Sequence, residues 1–139
     1  MLRLMIEAQP GENPRGVHAI RVLSSRNAVS SSDVIAAAFD AEMPAFESLV
    51  PKLLEAYGDL SAKHADKSRL AKPIEALRAW DRRWSAQSVA TTLAVLWGDE
   101  LWRRTDAPGR TSTQAYADIA HVDPNDRIAA LVAVIDKLE

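Results

Sequence analysis

Apolar residues recur at helical spacing along most of this chain. The clearest stripe follows the order i, i+3, i+4, i+7, i+8 and i+11 and comprises Phe46, Leu49, Val50, Leu53, Leu54 and Tyr57. This spacing predicts one buried face of a helix that ends at Gly58. Pro51 lies inside the stripe, so we expect a kink there or two abutting helices.

Capping residues mark the starts of four further helices. They occur before apolar runs at Asn13-Pro14, at Ser30 with Asp33, at Thr111 with Gln114, and at Asp123-Pro124. A hydroxyl followed three residues later by a carboxylate or amide can satisfy two backbone N–H groups that the first helical turn leaves open. We therefore expect helices over residues 14–23, 34–39, 111–120 and from 124 almost to the end.

The remaining apolar pattern predicts two helices that meet near a group of tryptophans. Leu70, Ile74 and Leu77 have helical spacing, and Pro73 fits the first turn of their helix. Trp80 and Trp84 follow one turn apart, so they are expected to share a helical face.

The next helix covers residues 89–101, with only Glu100 off its apolar pattern. Trp97 on this helix and Trp102 just after it point about 140° apart on a helix, so at least one tryptophan of the group should lie at a domain edge or an interface.

These patterns predict an all-α fold. No alternating run of β-branched residues with hairpin turns interrupts the helical spacing. We expect a single helical bundle of about six or seven helices over residues 14–139. Residues 1–13 end in turn chemistry, with Pro10-Gly11 before the first helix, and are interpreted as a tail or connector.

Composition narrows the function classes. The 139 residues are 47% hydrophobic and 26% charged, as in an ordinary globular protein. The net charge of −2 gives no electrostatic basis for binding nucleic acid or an anionic membrane. No cysteine is present to ligate zinc as a thiolate. The apolar run at residues 89–97 is far below membrane-spanning length. The apolar run among the first residues is too short for a signal peptide.

The sequence contains no recognisable catalytic or metal-binding motif. His18, His64 and His121 lie in separate predicted segments without ligand-like spacing, so no metal and no cofactor is expected. No serine lies in a Gly-x-Ser-x-Gly elbow, and Ser30 is interpreted as a helix cap rather than a nucleophile. The arginine pairs 82–83 and 103–104 have acidic neighbours and are interpreted as ion-paired surface.

Asp99-Glu100 is the remaining candidate for acid–base chemistry. Adjacent residues on a helix point about 100° apart, so these two carboxylates should not converge as a catalytic dyad does. No catalytic residue is therefore predicted in this chain.

Four segments, in order, resemble the penicillin acylase family of N-terminal-nucleophile hydrolases. They are the helix opening with Arg15 and carrying Arg21, the short helix ending at Asp40, the stretch Pro44–Tyr57 with paired leucines after a proline, and Leu77–Trp102 with its Trp-Asp and later tryptophan. The resemblance covers most of residues 13–138 and is to the helical region of the larger chain of these enzymes.

The resemblance implies an amidohydrolase whose new amino-terminal serine attacks an amide and whose asparagine helps to form the oxyanion hole. Residues 1–9 do not match the asparagine-rich segment, so both features are expected upstream and the present chain is expected to be inactive by itself. Arg15 matches a family arginine that orients catalytic groups or substrate. The alternative for Arg15 is a structural contact with a carboxylate or with helix-end carbonyls.

Two expectations follow about partners and location. The chain should contact the remainder of a parent acylase, or self-associate, through an apolar face that bears tryptophan; a stand-alone helical interaction module is the alternative function. No nucleic-acid or membrane partner is expected. Family resemblance implies a periplasmic parent, although the chain itself shows no signal peptide.

Overall fold

The chain is all-α, as predicted. A computed structural model describes residues 14–24, 28–105, 108–109 and 111–139. These residues form seven helices: α1 (Pro14–Ser24), α2 (Ser31–Ala38), α3 (Ala45–Asp59), α4 (Lys67–Arg78), α5 (Val89–Thr105), α6 (Ser112–Ile119) and α7 (Pro124–Leu138). The described residues contain no β-sheet, only an isolated antiparallel bridge between Glu42 and Arg83.

The predicted helix starts carry the expected caps. Ser30 and Asp33 form a complete capping box before α2, and Thr111 with Gln114 forms another before α6. The Asp123 side chain accepts a hydrogen bond from the backbone N–H of Asn125 at the start of α7. Pro14 is the first residue of α1, while the predicted cap Asn13 lies outside the described residues.

The hydrophobic core lies among α3, α4, α5 and α7, with α6 packed at one side. The largest fully buried side chains are Leu53, Leu70, Ile74, Leu77, Trp97, Leu101 and Leu131. Phe46 packs edge-to-face on Trp80, with ring centroids 5.4 Å apart. A Cβ at Gly98 would come within 3.3 Å of the Phe46 ring, so this glycine lets α5 approach the start of α3 closely.

Two prolines lie inside helices where the sequence suggested boundaries. α3 runs continuously through Pro51 and ends one residue beyond Gly58, so two abutting helices were the wrong prediction. α4 begins at Lys67, which places Pro73 in the middle of the helix rather than in its first turn. Both helices bury residues on either side of their proline, and this packing offsets the lost backbone hydrogen bond.

The prediction that Trp80 and Trp84 share a helical face is wrong. α4 ends at Arg78, and the following residues pair with the α2–α3 linker instead. The backbone N–H of Met43 donates to the Arg82 carbonyl at 2.9 Å, and that of Trp84 donates to the Ala41 carbonyl at 2.7 Å. This pairing leaves Trp80 buried and Trp84 60% exposed.

Glu100, the one residue off the pattern of α5, is buried because cations surround its carboxylate. Arg104 donates to Glu100 at 3.0 Å and Lys137 of α7 donates at 2.9 Å. Arg103 makes a further ion pair with the same carboxylate. A glutamate breaks the apolar stripe because its side chain is polar. Here the ion pairs allow that side chain to lie on the packed side of the helix.

The first two helices differ from the rest of the molecule. Neither α1 nor α2 contains a buried residue. Large apolar side chains are instead exposed along this segment, at Ile20, Leu23, Val29, Val34, Ile35 and Phe39. We call these six residues the α1–α2 apolar surface. Within the described residues, no helix is both long and apolar enough to cross a membrane.

Candidate functional site

A cavity of about 620 Å³ lies between α1, α2 and the start of α3. Its walls are mostly apolar and include Val22, Leu23, Val34, Met43 and Phe46. The ionisable residues in its lining are Arg15, His18, Asp40 and Glu42. Apolar walls with a few polar groups on one side are typical of small-ligand sites, so this cavity is the candidate functional site.

Local sequence explains how the cavity forms. α1 presents residues 15, 18, 19 and 22 to it, which are three or four positions apart and therefore share one helical face. α2 presents the small side chains of Ala37 and Ala38, which leave space beneath α1. The linker at residues 40–44 then closes one end before α3 begins.

His18 stands between two carboxylates at the edge of this cavity. Its Nε2 is 3.6 Å from Asp40 Oδ1, and its Nδ1 is 3.4 Å from Glu42 Oε2. The imidazole side chain is 15% exposed, and neither ring nitrogen makes a hydrogen bond. We call His18, Asp40 and Glu42 the His18 cluster; one ligand-type atom from each lies within 4.8 Å of the others.

Arginines contact the same carboxylates from the outside. Arg83 lies 3.6 Å from Asp40 and 3.9 Å from Glu42, and Arg21 lies 3.7 Å from Glu42. The pKa of Asp40 is lowered, first by the hydrogen bond from the backbone N–H of Glu42 and then by the positive charge of Arg83. Asp40 therefore stays ionised to a lower pH than an unperturbed aspartate.

Arg21 connects α1 to the bundle. Its two terminal nitrogens donate to the two carboxylate oxygens of Glu47 in α3, at 2.6 and 3.0 Å. These hydrogen bonds and the charge of Arg21 lower the pKa of Glu47, and Glu47 in turn raises the pKa of Arg21. The two-pronged contact links α1 to α3 beside the cavity.

Arg15, the residue assigned to substrate binding by resemblance, lies at the second position of α1. It is exposed and lines the cavity. The structure brings Arg15 to the same cavity as His18, Asp40 and Glu42.

The other candidate groups lie elsewhere and do not converge. Ser30 acts as a helix cap: its hydroxyl accepts from the N–H of Asp33 and donates to the Asp33 carboxylate. Asp99 is exposed, whereas Glu100 is buried in its ion pairs, so this acidic pair does not converge. His121 Nδ1 contacts the carbonyl of Ala117, and His64 lies 3.8 Å from Asp66.

The His18 cluster was missed by the sequence analysis. Histidine-ligand motifs depend on short spacing, but here the two carboxylates follow His18 by more than twenty positions in the chain. The three residues meet because α1 lies beside the linker that follows α2. Two acidic residues flanking an alanine directly after a helix, Asp40 and Glu42, were the only available signal.

The comparisons with known proteins identify the family. The penicillin amidase family model matches residues 4–137, and so includes part of the segment interpreted as a tail or connector. No curated protein and no solved structure matches this chain significantly. Because the family match covers nearly the whole chain, this protein belongs to the penicillin amidase family.

Proposed function

We propose that this chain is a helical region of an acylase-type amidohydrolase, and that the α1–α2 apolar surface packs against other parts of that enzyme. Family membership supports the first statement. The observation that carries the second is the exposure of six large apolar side chains, four on α1 and α2 and two directly beside α2, in a segment whose two helices contain no buried residue. Large apolar side chains left exposed in one segment are candidates for an interaction site.

The parent enzyme would hydrolyse a linear amide between an acyl group and an amine, and this chain alone would not. In such an enzyme Arg15 would orient substrate or catalytic groups from the edge of the cavity, because a guanidinium offers several donors in a fixed plane. The apolar walls of the cavity suit an acyl group better than a charged amine.

A hydrolysis assay tests the inactivity of the chain. The purified 139-residue protein should not release the amine from a chromogenic acyl amide. It should also not hydrolyse the amide bond of an N-acyl-homoserine lactone. Arg15→Ala should be equally inactive. Hydrolysis above the buffer rate that a substitution within this chain abolishes would contradict the proposal.

The DNA upstream of the Met1 codon tests the relation to a parent enzyme. An in-frame extension that encodes a processing site ending in serine, followed by an asparagine-rich segment, would support it. A stop codon and a ribosome-binding site directly before the Met1 codon would contradict it.

Substitution of the α1–α2 apolar surface tests its role in packing. Ile35 and Phe39 are 60% and 83% exposed, so I35K/F39K should leave the melting temperature unchanged. It should lower binding of an apolar fluorescent dye and reduce concentration-dependent association in light scattering. V89K is a matched control, because Val89 is 76% exposed on α5, outside this surface. Equal effects of both variants would contradict a specific role.

A stand-alone interaction module is the alternative function, and the exposed tryptophans favour it. Trp84 is 60% exposed and Trp102 36% exposed. A module should form a closed dimer through a tryptophan-bearing face. A dimer in light scattering that W84S or W102S dissociates, and I35K/F39K does not, would support the module over the acylase region.

A further inference from the structure

We propose that the His18 cluster is a binding site for a divalent transition-metal ion, with Zn²⁺ as the probe. The proposal does not depend on the proposed function. It assigns one imidazole nitrogen of His18 and carboxylate oxygens of Asp40 and Glu42 as ligands. One imidazole with two carboxylates suits zinc, manganese or iron better than calcium or magnesium, which prefer oxygen ligands alone.

The distances allow the site to close around an ion. A tetrahedral zinc with bonds of about 2.0–2.1 Å holds its ligand atoms about 3.3 Å apart. Here the atoms of the three side chains lie within 4.8 Å of one another, and the closest histidine–carboxylate distance is already 3.4 Å. Closure around one ion requires the two carboxylate side chains to rotate towards the same ring nitrogen.

The imidazole provides the second observation. Both ring nitrogens of His18 are shielded from solvent, and neither makes a hydrogen bond. A shielded polar atom without a hydrogen bond is costly, and a metal bond to one nitrogen would remove part of that cost. The two carboxylates approach from opposite ring nitrogens, so ions could use either Nδ1 or Nε2.

Two arginines compete with the ion for the same oxygens. Arg83 contacts both carboxylates and Arg21 contacts Glu42. A bound cation would face their repulsion, which lowers affinity relative to a site without them. Removal of the Arg83 charge should therefore strengthen metal binding, whereas loss of a ligand should weaken it.

The site would also connect two parts of the fold. His18 belongs to α1, while Asp40 and Glu42 belong to the linker between α2 and α3. An ion bound by all three would hold α1 to this linker. Since an ion that binds only the folded arrangement stabilises it, α1 should become more protected from hydrogen exchange when metal is added.

Isothermal titration of the whole chain with ZnCl₂ tests the proposal, with removal by EDTA and the visible spectrum of bound Co²⁺ as independent readouts. We expect one equivalent to bind. H18Q should weaken binding at least tenfold and remove the Co²⁺ spectrum, and R83Q should tighten binding. H64Q is the matched control, because His64 faces a single carboxylate at 3.8 Å, and it should bind like the unsubstituted chain.

The outcomes separate clearly. If circular dichroism shows that H18Q does not fold, D40N removes a different ligand without a substitution in α1. No heat of binding at millimolar Zn²⁺, or binding that H18Q and D40N leave unchanged, would overturn the proposal. Binding that H64Q or H121Q abolishes would place the ion on a surface histidine and would overturn it equally.

Discussion

Arg21 of α1 donates to both carboxylate oxygens of Glu47 in α3, at 2.6 and 3.0 Å. This pair joins a helix without any buried residue to the helix that begins the core. α1 is therefore positioned by charge and hydrogen bonding as much as by apolar packing. The candidate cavity lies beside this contact, so its shape depends on the position of α1.

Removal of this contact should loosen α1 while leaving the bundle intact. E47Q should increase hydrogen exchange in peptides covering residues 14–24 at neutral pH, with little change in the global melting temperature. The reason is that an exposed ion pair contributes little to global stability but fixes local geometry. E55Q, on the same helix but outside this contact, is the control. Unchanged exchange in E47Q would show that other contacts hold α1.

The pKa of Glu47 gives a second prediction. Because hydrogen bonds from Arg21 lower this pKa in the folded chain, the carboxyl carbon of Glu47 should titrate below the ordinary glutamate value of about 4.3. The stabilisation it supplies is complete above that ordinary value and is lost as the pH falls through the lowered one. Carbon NMR in EDTA-containing buffer measures the midpoint. R21Q should raise it towards the ordinary value, and an unchanged midpoint would contradict this assignment.

Among the aromatic residues, substitution of Trp97 should lower the free energy of unfolding most. Its ring is fully buried, and its indole N–H donates to the Arg127 carbonyl of α7 at 3.0 Å. W97A should lower the free energy of unfolding by about 3–5 kcal/mol, because it leaves a large cavity. W97F should cost about 2 kcal/mol through lost volume and the lost hydrogen bond to the Arg127 carbonyl.

Urea unfolding followed by circular dichroism measures both Trp97 variants. W84F is the matched control, because Trp84 is 60% exposed and its replacement should change stability little. A cost for W84F equal to that for W97F would contradict the assignment of Trp97 to the core.

Substitution of Glu100 tests how much a buried carboxylate surrounded by cations contributes to stability. E100Q should lower the free energy of unfolding by about 1–3 kcal/mol, because it weakens ion pairs with Arg104 and Lys137 at a side chain only 9% exposed. D99N changes the exposed neighbour on the same helix and should have a much smaller effect. Urea unfolding in low and high salt measures the free energy of unfolding of both variants. If E100Q is as stable as D99N, the ion pairs of Glu100 do not stabilise the fold.

Much of the fold was predictable because helical periodicity and capping are local. The apolar stripe from Phe46 to Tyr57 and the capping boxes at Ser30 and Thr111 each involve residues within a few positions, and the structure contains those helices. The same local rules failed at Pro73 and at the pair Trp80 and Trp84, and of the two alternatives at Pro51 the abutting helices were wrong. At each of these positions, contacts with distant parts of the chain decided the local structure.

The candidate site was less predictable. The sequence resemblance pointed to Arg15, and the structure places that residue at the cavity edge. His18, Asp40 and Glu42 carried no motif, because α1 supplies the histidine and the linker between α2 and α3 supplies the two carboxylates. Chemistry that depends on spacing in three dimensions leaves no short-range pattern in the chain.

The sequence by itself determined the all-α class, most helix positions and, through its resemblance, the penicillin amidase family, which the family model confirms. These follow from side-chain spacing and capping within one or two helical turns. Only the tertiary structure decided that Trp97 is buried while Trp84 is exposed, that Glu100 lies among cations, and that His18 faces two carboxylates. Those facts depend on which surfaces pack together, and packing is set by residues that lie far apart in the chain.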